Sequence, residues 1–352
     1  MTLKKKTILL IVATVFIALG ITLAATCNHS FNAQTTTIPQ DAPHLKVGLV
    51  LGGGGAKGAA HVGALKAIEK AGIPVDYIAG TSIGAIVGGL YACGYSADQI
   101  DSLFRSQEWL DLLTDRRTEL NTTAFRNEGG TTYIFGIPLS ASTLNLNQSF
   151  DQFFGNGIVA GDSIVNLLRR LTTKKGVETF QQTRIPFRCV ATEFQGINPK
   201  NEVVLHSGDL AMAMRASMAI PAYFKAVKIG KKTLLDGGVM NNLPVDVVKA
   251  MGADIVIAVD LTQNTPDDPT LKLSQSLGLG EALDWVLSRP DITKYKQNLK
   301  DVDLYIRPNL NGYEAYSFTE KSIEAMIDSG TIAGKKKEFA LKRLKLRIYT
   351  LN

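Results

Sequence analysis

Ser82 is the residue of this chain whose surroundings best fit a nucleophile. It lies in Gly80-Thr81-Ser82-Ile83-Gly84, after the extended apolar run Val75-Asp76-Tyr77-Ile78-Ala79 and before a helical run from Ile83 to about Cys93. Strand, tight turn and helix in that order push the central residue out at the top of a sheet, over the positive end of a helix. Gly80 and Gly84 permit the turn because neither carries a Cβ that would clash. A serine so placed can take part in acyl transfer, provided that another group accepts its proton. As a bare pattern it also fits a purely structural Gly-rich turn.

A second turn, Gly52-Gly53-Gly54-Gly55-Ala56-Lys57-Gly58, lies upstream. Its spacing excludes a Walker A loop, because Lys57 precedes Gly58 instead of following it. Two readings remain, and both rest on bare backbone N–H groups. As a dinucleotide fingerprint the turn would cradle a pyrophosphate at a helix start, with Asp76 as the acid for a ribose. As an oxyanion loop it would face the tetrahedral centre formed beside Ser82. Only the second reading needs a serine turn one strand away.

The proton acceptor is the third piece. The chain has four histidines, at 29, 44, 61 and 206, and none follows Asp236. A histidine triad in the order serine, acid, histidine would therefore need an acid upstream of His206. His61 reads as a helix residue close to the glycine loop. A carboxylate can do the same work directly. Asp236 ends a predicted strand and is followed by Gly237-Gly238, which aims its side chain at the crevice above the strand ends. It would take the proton of Ser82 and return it to the leaving group. The plain alternative for Asp236 is a turn residue before two glycines.

The elements that must hold these residues follow from hydropathy. Lys46–Leu51 reads as a buried parallel strand, and a helix runs from the glycine loop to Ala71, with Gly72 as its stop. Further predicted strands are Phe187–Thr192 and Ile255–Val259, with a hairpin over Val227–Leu235 that turns at Gly230-Lys231-Lys232. Helices are predicted near Ser96–Phe104, Gly161–Leu171, Asp209–Ala216 and Val245–Met251. This alternation defines an α/β sheet across 46–262, taken as one domain. Between the first helices lies a polar stretch with Phe125, Tyr133, Phe135, Phe150, Phe153 and Phe154, which reads either as an insertion or as a cap for an acyl chain.

The 352 residues, 45% hydrophobic and 20% charged, suit one large globular domain with an appendage. Residues 1–27 read as a signal peptide or membrane anchor: Lys4-Lys5-Lys6 precedes the apolar run Thr7–Ala25, which is long enough to span a bilayer. Cys27 resembles a lipoprotein acceptor, although Thr26 before it is larger than usual. Export is the expectation, as an anchored, lipidated, periplasmic or secreted bacterial protein. Residues 28–45 form a polar linker. Cys93 and Cys189 read as small buried hydrophobes, and no metal-ligand spacing is present. The extension 263–352 is mostly helical, with predicted helices at Ser274–Ser288 and Ser317–Ser329 and an added strand at Val302–Ile306. Residues 331–352 hold seven Lys or Arg against Glu338 alone, which equals the net charge of +6 for the whole chain. This basic amphipathic end, with Phe339, Leu341, Leu344 and Ile348, suits either an anionic membrane surface or packing on the domain.

Four blocks together resemble the patatin-like phospholipases: Gly53–Gly58, Gly80–Gly84, Ser217-Met218-Ala219-Ile220-Pro221 and Asp236-Gly237-Gly238. The resemblance covers about residues 46–262. It implies a three-layer α/β sandwich with a mostly parallel central sheet flanked by helices. It also implies a Ser–Asp dyad and hydrolysis of lipid acyl esters without metal or cofactor. Carried onto this sequence, Ser82 is the nucleophile, Asp236 the general base, and the amides of Gly53, Gly54, Gly55 and Ile83 the oxyanion hole. Lys57, Gly58, Gly80, Gly84, Gly237 and Gly238 belong to the matching motifs. The family often has Arg where this chain has Lys57, which lacks the planar fork for a bidentate contact. The expected partners are a phospholipid or other acyl ester and a membrane surface, with no nucleic acid. The rival readings are a nucleotide-binding protein and a non-catalytic membrane-associated scaffold.

Overall fold

Val47–Leu51 (β1) is buried on both faces, as a continuous apolar run requires of a central strand. The computed structural model describes residues 44–115, 157, 159–195, 198–221, 223–263 and 291–350. The N-terminal run, the aromatic stretch at 125–154 and the predicted helix at 274–288 lie outside these residues.

After β1 the glycine loop tightens into a short 3-10 turn, Gly55–Gly58, and continues as α1, Ala59–Ala71. α1 stops at Gly72, whose φ of 64° is left-handed. Then come β2 (Tyr77–Thr81), α2 (Ile83–Ala92), α3 (Ala97–Ser106) and α4 (Trp109–Leu113). A capping box between Ser96 and Gln99 starts α3. Next are α5 (Asp162–Lys174), β3 (Phe187–Gln195), β4 (Asn198–Leu205) and α6 (Leu210–Ser217). The predicted hairpin is β5 (Val227–Ile229) with β6 (Lys232–Asp236). α7 (Val245–Ala250), β7 (Ile255–Val259), α8 (Ile292–Asn298), β8 (Leu304–Ile306), α9 (Glu320–Lys336) and α10 (Glu338–Tyr349) complete the described chain.

These strands form one sheet in the order β5-β6-β3-β2-β1-β7-β8, with β4 paired to β3. From β3 to β8 the pairs are parallel. The antiparallel pairs, β3 with β4, β3 with β6 and β5 with β6, lie at the other side. The result is a mixed, mostly parallel sheet with a hydrophobic cluster on each face.

The region past 262 is built into this sheet and core. β8 pairs with β7. α9 lies along α1 so closely that a Cβ at Gly63 would meet the Ile327 carbonyl and one at Gly330 the Ala60 carbonyl. On α10, Leu341, Leu344 and Ile348 are buried. The domain packing expected as one option for this helix is thus realised on that stripe.

Candidate active site

β3 brings together two residues that are 154 positions apart. β2 runs parallel to β3, with Thr81 opposite Val190. β6 runs antiparallel to it, with Asp236 opposite Ala191. β4 pairs with β3 across both of those positions, so β2 and β6 must share the other edge. Their carboxyl ends therefore point at each other, and Ser82 meets Asp236 where they converge. Ser82 Oγ donates to Asp236 Oδ2 at 2.7 Å. The Gly238 N–H donates to Oδ1 at 2.7 Å. Both side chains are almost wholly buried, at 3% and 2% exposure.

The backbone at Ser82 is strained. Its φ of 55° and ψ of −125° lie outside the basins that non-glycine residues normally occupy. Such a position costs about 1–3 kcal/mol and persists only where the surroundings enforce it. Ser217 is one enforcer: its Oγ accepts the Ser82 N–H at 3.0 Å and donates to the Val190 carbonyl at 2.5 Å. Thr81 is another, donating through Oγ1 to the Asn241 carbonyl at 2.8 Å. The flanking glycines are required by crowding. A Cβ on Gly80 would strike the Gly84 carbonyl, and one on Gly84 the Leu51 carbonyl.

Burial pushes the Asp236 carboxyl up to about 6, against the opposing effect of the hydrogen bonds from Ser82 and Gly238. Among the described residues no cation contributes to its environment. That value suits a base that must accept a proton near neutral pH and give it back. Among the described residues the histidines do not compete for this role. His44 contacts Asp76 at 3.1 Å, and His206 is exposed. His61 is fully buried, and its Nε2 donates to the Gly52 carbonyl at 2.8 Å. Desolvation holds His61 down at about 4, so it is neutral and pins the start of the glycine loop.

The structure corrects one part of the expected oxyanion hole. The Gly53 N–H is already used: it donates to the Asn242 carbonyl at 3.2 Å. The Asn242 side chain returns the contact through Nδ2 to the Gly53 carbonyl at 3.4 Å. Gly53 therefore serves close approach, since a Cβ there would meet Asn242 Oδ1 and the Ser82 Cβ. The Ser82 N–H is likewise taken, by Ser217. Among the described residues, the N–H groups of Gly54, Gly55 and Ile83 have no hydrogen-bond partner. The amide of Ile83 is the first of α2, where the helix dipole is positive. Lys57 donates its backbone N–H to the Gly54 carbonyl at 3.2 Å and so shapes the loop. Gly58 is packed against Ile83, and Gly237 against the Val190 carbonyl.

The dinucleotide arrangement is not formed. Asp76 stands at the amino end of β2, opposite to the glycine loop. There it accepts from Lys46 Nζ and the Val47 N–H, both at 2.8 Å. An acid reading a ribose would have to stand at the carboxyl end.

Sequence reasoning assigned no role to Ser217, Asn241 or Asn242; it read His61 as a helix residue close to the glycine loop, where it lies, but not its bond to Gly52. Ser217 stands in one of the matched blocks, and Asn241-Asn242 begins three positions after Gly238, so proximity in sequence is a usable signal for both. A second surprise is Ala315, whose carbonyl accepts the Ala56 N–H at 2.7 Å and covers Gly55. The region past 262 thus supports the glycine loop.

A mixed, mostly parallel sheet with a serine turn, a glycine loop and an aspartate at its carboxyl end defines an α/β protein with a buried serine–aspartate pair. The profile described as patatin-like phospholipase matches residues 49–249, and the chain belongs to that family. It is 35% identical over 225 residues to lysophospholipase nte1 of Aspergillus fumigatus, covering 62% of this chain and 12% of that protein. It is 32% identical over 224 residues to mouse patatin-like phospholipase domain-containing protein 6, covering 63% of this chain and 14% of that protein. The match thus spans about an eighth of the length of these relatives. Among solved structures, VipD from Legionella pneumophila aligns with a TM-score of 0.44 and 15% identity, over 85% of this chain and 67% of that one. The type III effector ExoU aligns with a TM-score of 0.43 and 16% identity, over 86% of this chain and 54% of that one.

Proposed function

We propose that the chain is a serine acyl hydrolase acting on phospholipids, lysophospholipids or related acyl esters. The observation that carries this reading is the 2.7 Å bond from Ser82 Oγ to a buried Asp236 carboxylate, beside bare amides. Ser82 Oγ attacks the ester carbonyl carbon, and its proton passes to Asp236 Oδ2. The carbonyl oxygen becomes an oxyanion, held by the N–H groups of Gly54, Gly55 and Ile83 and by the dipole of α2. The C–O bond to the alcohol breaks, and Asp236 returns the proton to the departing oxygen. Water, deprotonated by Asp236, then attacks the acyl-enzyme carbonyl; the bond to Ser82 Oγ breaks, Asp236 passes that proton to Oγ, and the fatty acid leaves. Asp236 acts in both halves of the cycle, which its position near neutrality favours.

The relatives named for lysophospholipase and phospholipase activity support the lipid ester as substrate. The apolar run Thr7–Ala25 supports export and membrane attachment. The test uses a lysophospholipid and a short-chain nitrophenyl ester. Wild-type protein hydrolyses both and is labelled by a fluorophosphonate; Ser82→Ala does neither while keeping its thermal transition. A folded wild-type protein that turns over neither ester and resists the probe is a scaffold, and the proposal fails.

A further inference from the structure

The basic face of α9 and α10 makes a surface that the hydrolytic chemistry does not use. On α10 one stripe is buried: Leu341, Leu344 and Ile348. The opposite stripe, Phe339, Lys342, Arg343 and Leu346, recurs at helical spacing and points outward. Phe339 is 74% and Leu346 64% exposed. Ile332, 54% exposed, and the exposed Lys335 and Lys336 lie just across the junction on α9. Lys342 pairs with Glu338 and Arg347 with Asp303, both at 2.8 Å. Among the described residues Lys335, Lys336 and Arg343 make no ion pair. From 331 to 350 the sequence has seven cations and one acid. Exposed large apolar side chains set among unpaired cations fit neither a packed core nor an ordinary solvated face.

The fold fixes where this surface lies. Ile348 accepts the Leu45 N–H at 3.0 Å, and His44 packs on Tyr349 with ring centroids 5.7 Å apart. Leu45 precedes β1, so α10 sits at the amino end of the sheet. Ser82 stands at the carboxyl end, on the order of 20 Å away along β1. The chain also enters the fold at the α10 end.

We infer that the outward face of α9 and α10, centred on Phe339, Arg343 and Leu346, docks on an anionic lipid surface. Charge complementarity selects that partner: cations attract the acidic leaflet, and the isolated apolar side chains enter the headgroup boundary. The contact is a tether, separate from the crevice that holds Ser82, and it holds whether or not Ser82 is catalytic.

The test is sedimentation of the full-length chain with phosphatidylcholine vesicles, with and without about one-third phosphatidylglycerol. Binding to the neutral vesicles reports the apolar N-terminal run. The increment produced by the anionic lipid reports α10. Wild-type protein gains at least about tenfold in affinity from the anionic lipid, and the gain fades between 50 mM and 500 mM salt. Lys335→Glu/Lys336→Glu/Arg343→Glu abolishes the gain, and Phe339→Ser/Leu346→Ser reduces it several-fold; both variants keep the wild-type thermal transition and the rate on a soluble ester. The inference is overturned if wild type shows no anionic preference, if the charge-reversed variant keeps it, or if the face instead pairs two copies of the chain, seen as a dimer in sedimentation equilibrium without lipid.

Discussion

Two aspartates mark the two ends of the sheet. Asp236 stands at the carboxyl end and Asp76 at the amino end, and both are well shielded from water. Their carboxyls move in opposite directions. For Asp236 desolvation dominates, and the group rises to about 6. For Asp76 desolvation also acts to raise it. Lys46, the Val47 N–H and His44 outweigh that effect and hold it below the usual range. Desolvation acts on both, fully on Asp236 and in part on the half-buried Asp76; the neighbouring cation is found only at Asp76. The carboxylate that ties strand ends together has its counter-charge beside it; the one that the proposed mechanism uses as base has none among the described residues.

The comparison breaks first at the chemistry. Ser82→Ala removes the nucleophile and should lower ester turnover by about 10^4-fold or more. Asp236→Asn keeps the shape but not the base, with an expected loss of about 10^2 to 10^4-fold in kcat. The same carboxylate-to-amide change at the other end, Asp76→Asn, should leave kcat within about twofold of wild type. Steady-state assays on a nitrophenyl ester measure all of these.

Ser217→Ala tests the support beneath the nucleophile. It frees the Ser82 N–H and removes a constraint on the strained turn, and the misplacement is expected to cost about 10^2-fold in kcat. KM should stay nearly constant and the thermal transition should fall only slightly. Rescue by Ser217→Thr would separate hydrogen bonding from packing.

The remaining effects are on stability, and their signs differ between the ends. Asp236 has a folded value above the 3.8 of the unfolded chain, so the folded state holds its proton more tightly. Its burial is costless below about pH 4 and becomes a full penalty above about pH 6. The rise from 3.8 to about 6 corresponds to about 3 kcal/mol. Asp236→Asn should therefore melt higher than wild type at pH 8, with the gap closing as pH falls from 6 to 4. Asp76 has a folded value below the unfolded one, so its contribution is present above about pH 4 and is lost at lower pH. Asp76→Asn should destabilise by about 1 kcal/mol at pH 7, the cost of weakening a half-buried charge-assisted contact that solvent partly screens, and by much less in acid. Calorimetry across pH measures both curves.

What the sequence revealed of this site was local. The turn at Ser82 was readable because strand, glycines and helix are contiguous, and Asp236 because a strand end met two glycines. The alternation of apolar runs was enough for the mostly parallel sheet, whose central strands are hydrophobic on both faces. β4 was not resolved, because Asn198–Leu205 alternates weakly and pairs only through β3. The engaged Gly53 amide was invisible for a related reason. Which backbone donors stay bare depends on Asn242, 189 positions away. The placement of the region past 262 was hidden too: β8 is three residues long, and the fit of α9 on α1 depends on Gly63 and Gly330 meeting across the structure.

The central claim is that Asp236, and no imidazole, makes Ser82 reactive. The direct measurement is the rate at which a fluorophosphonate labels Ser82 as a function of pH, in wild type and in Asp236→Asn. The account predicts that the wild-type rate rises through a single step near pH 6 and that the variant is slower by at least about a hundredfold at pH 7.5. Labelling of Asp236→Asn at the wild-type rate, with its step in pH unchanged, would contradict it.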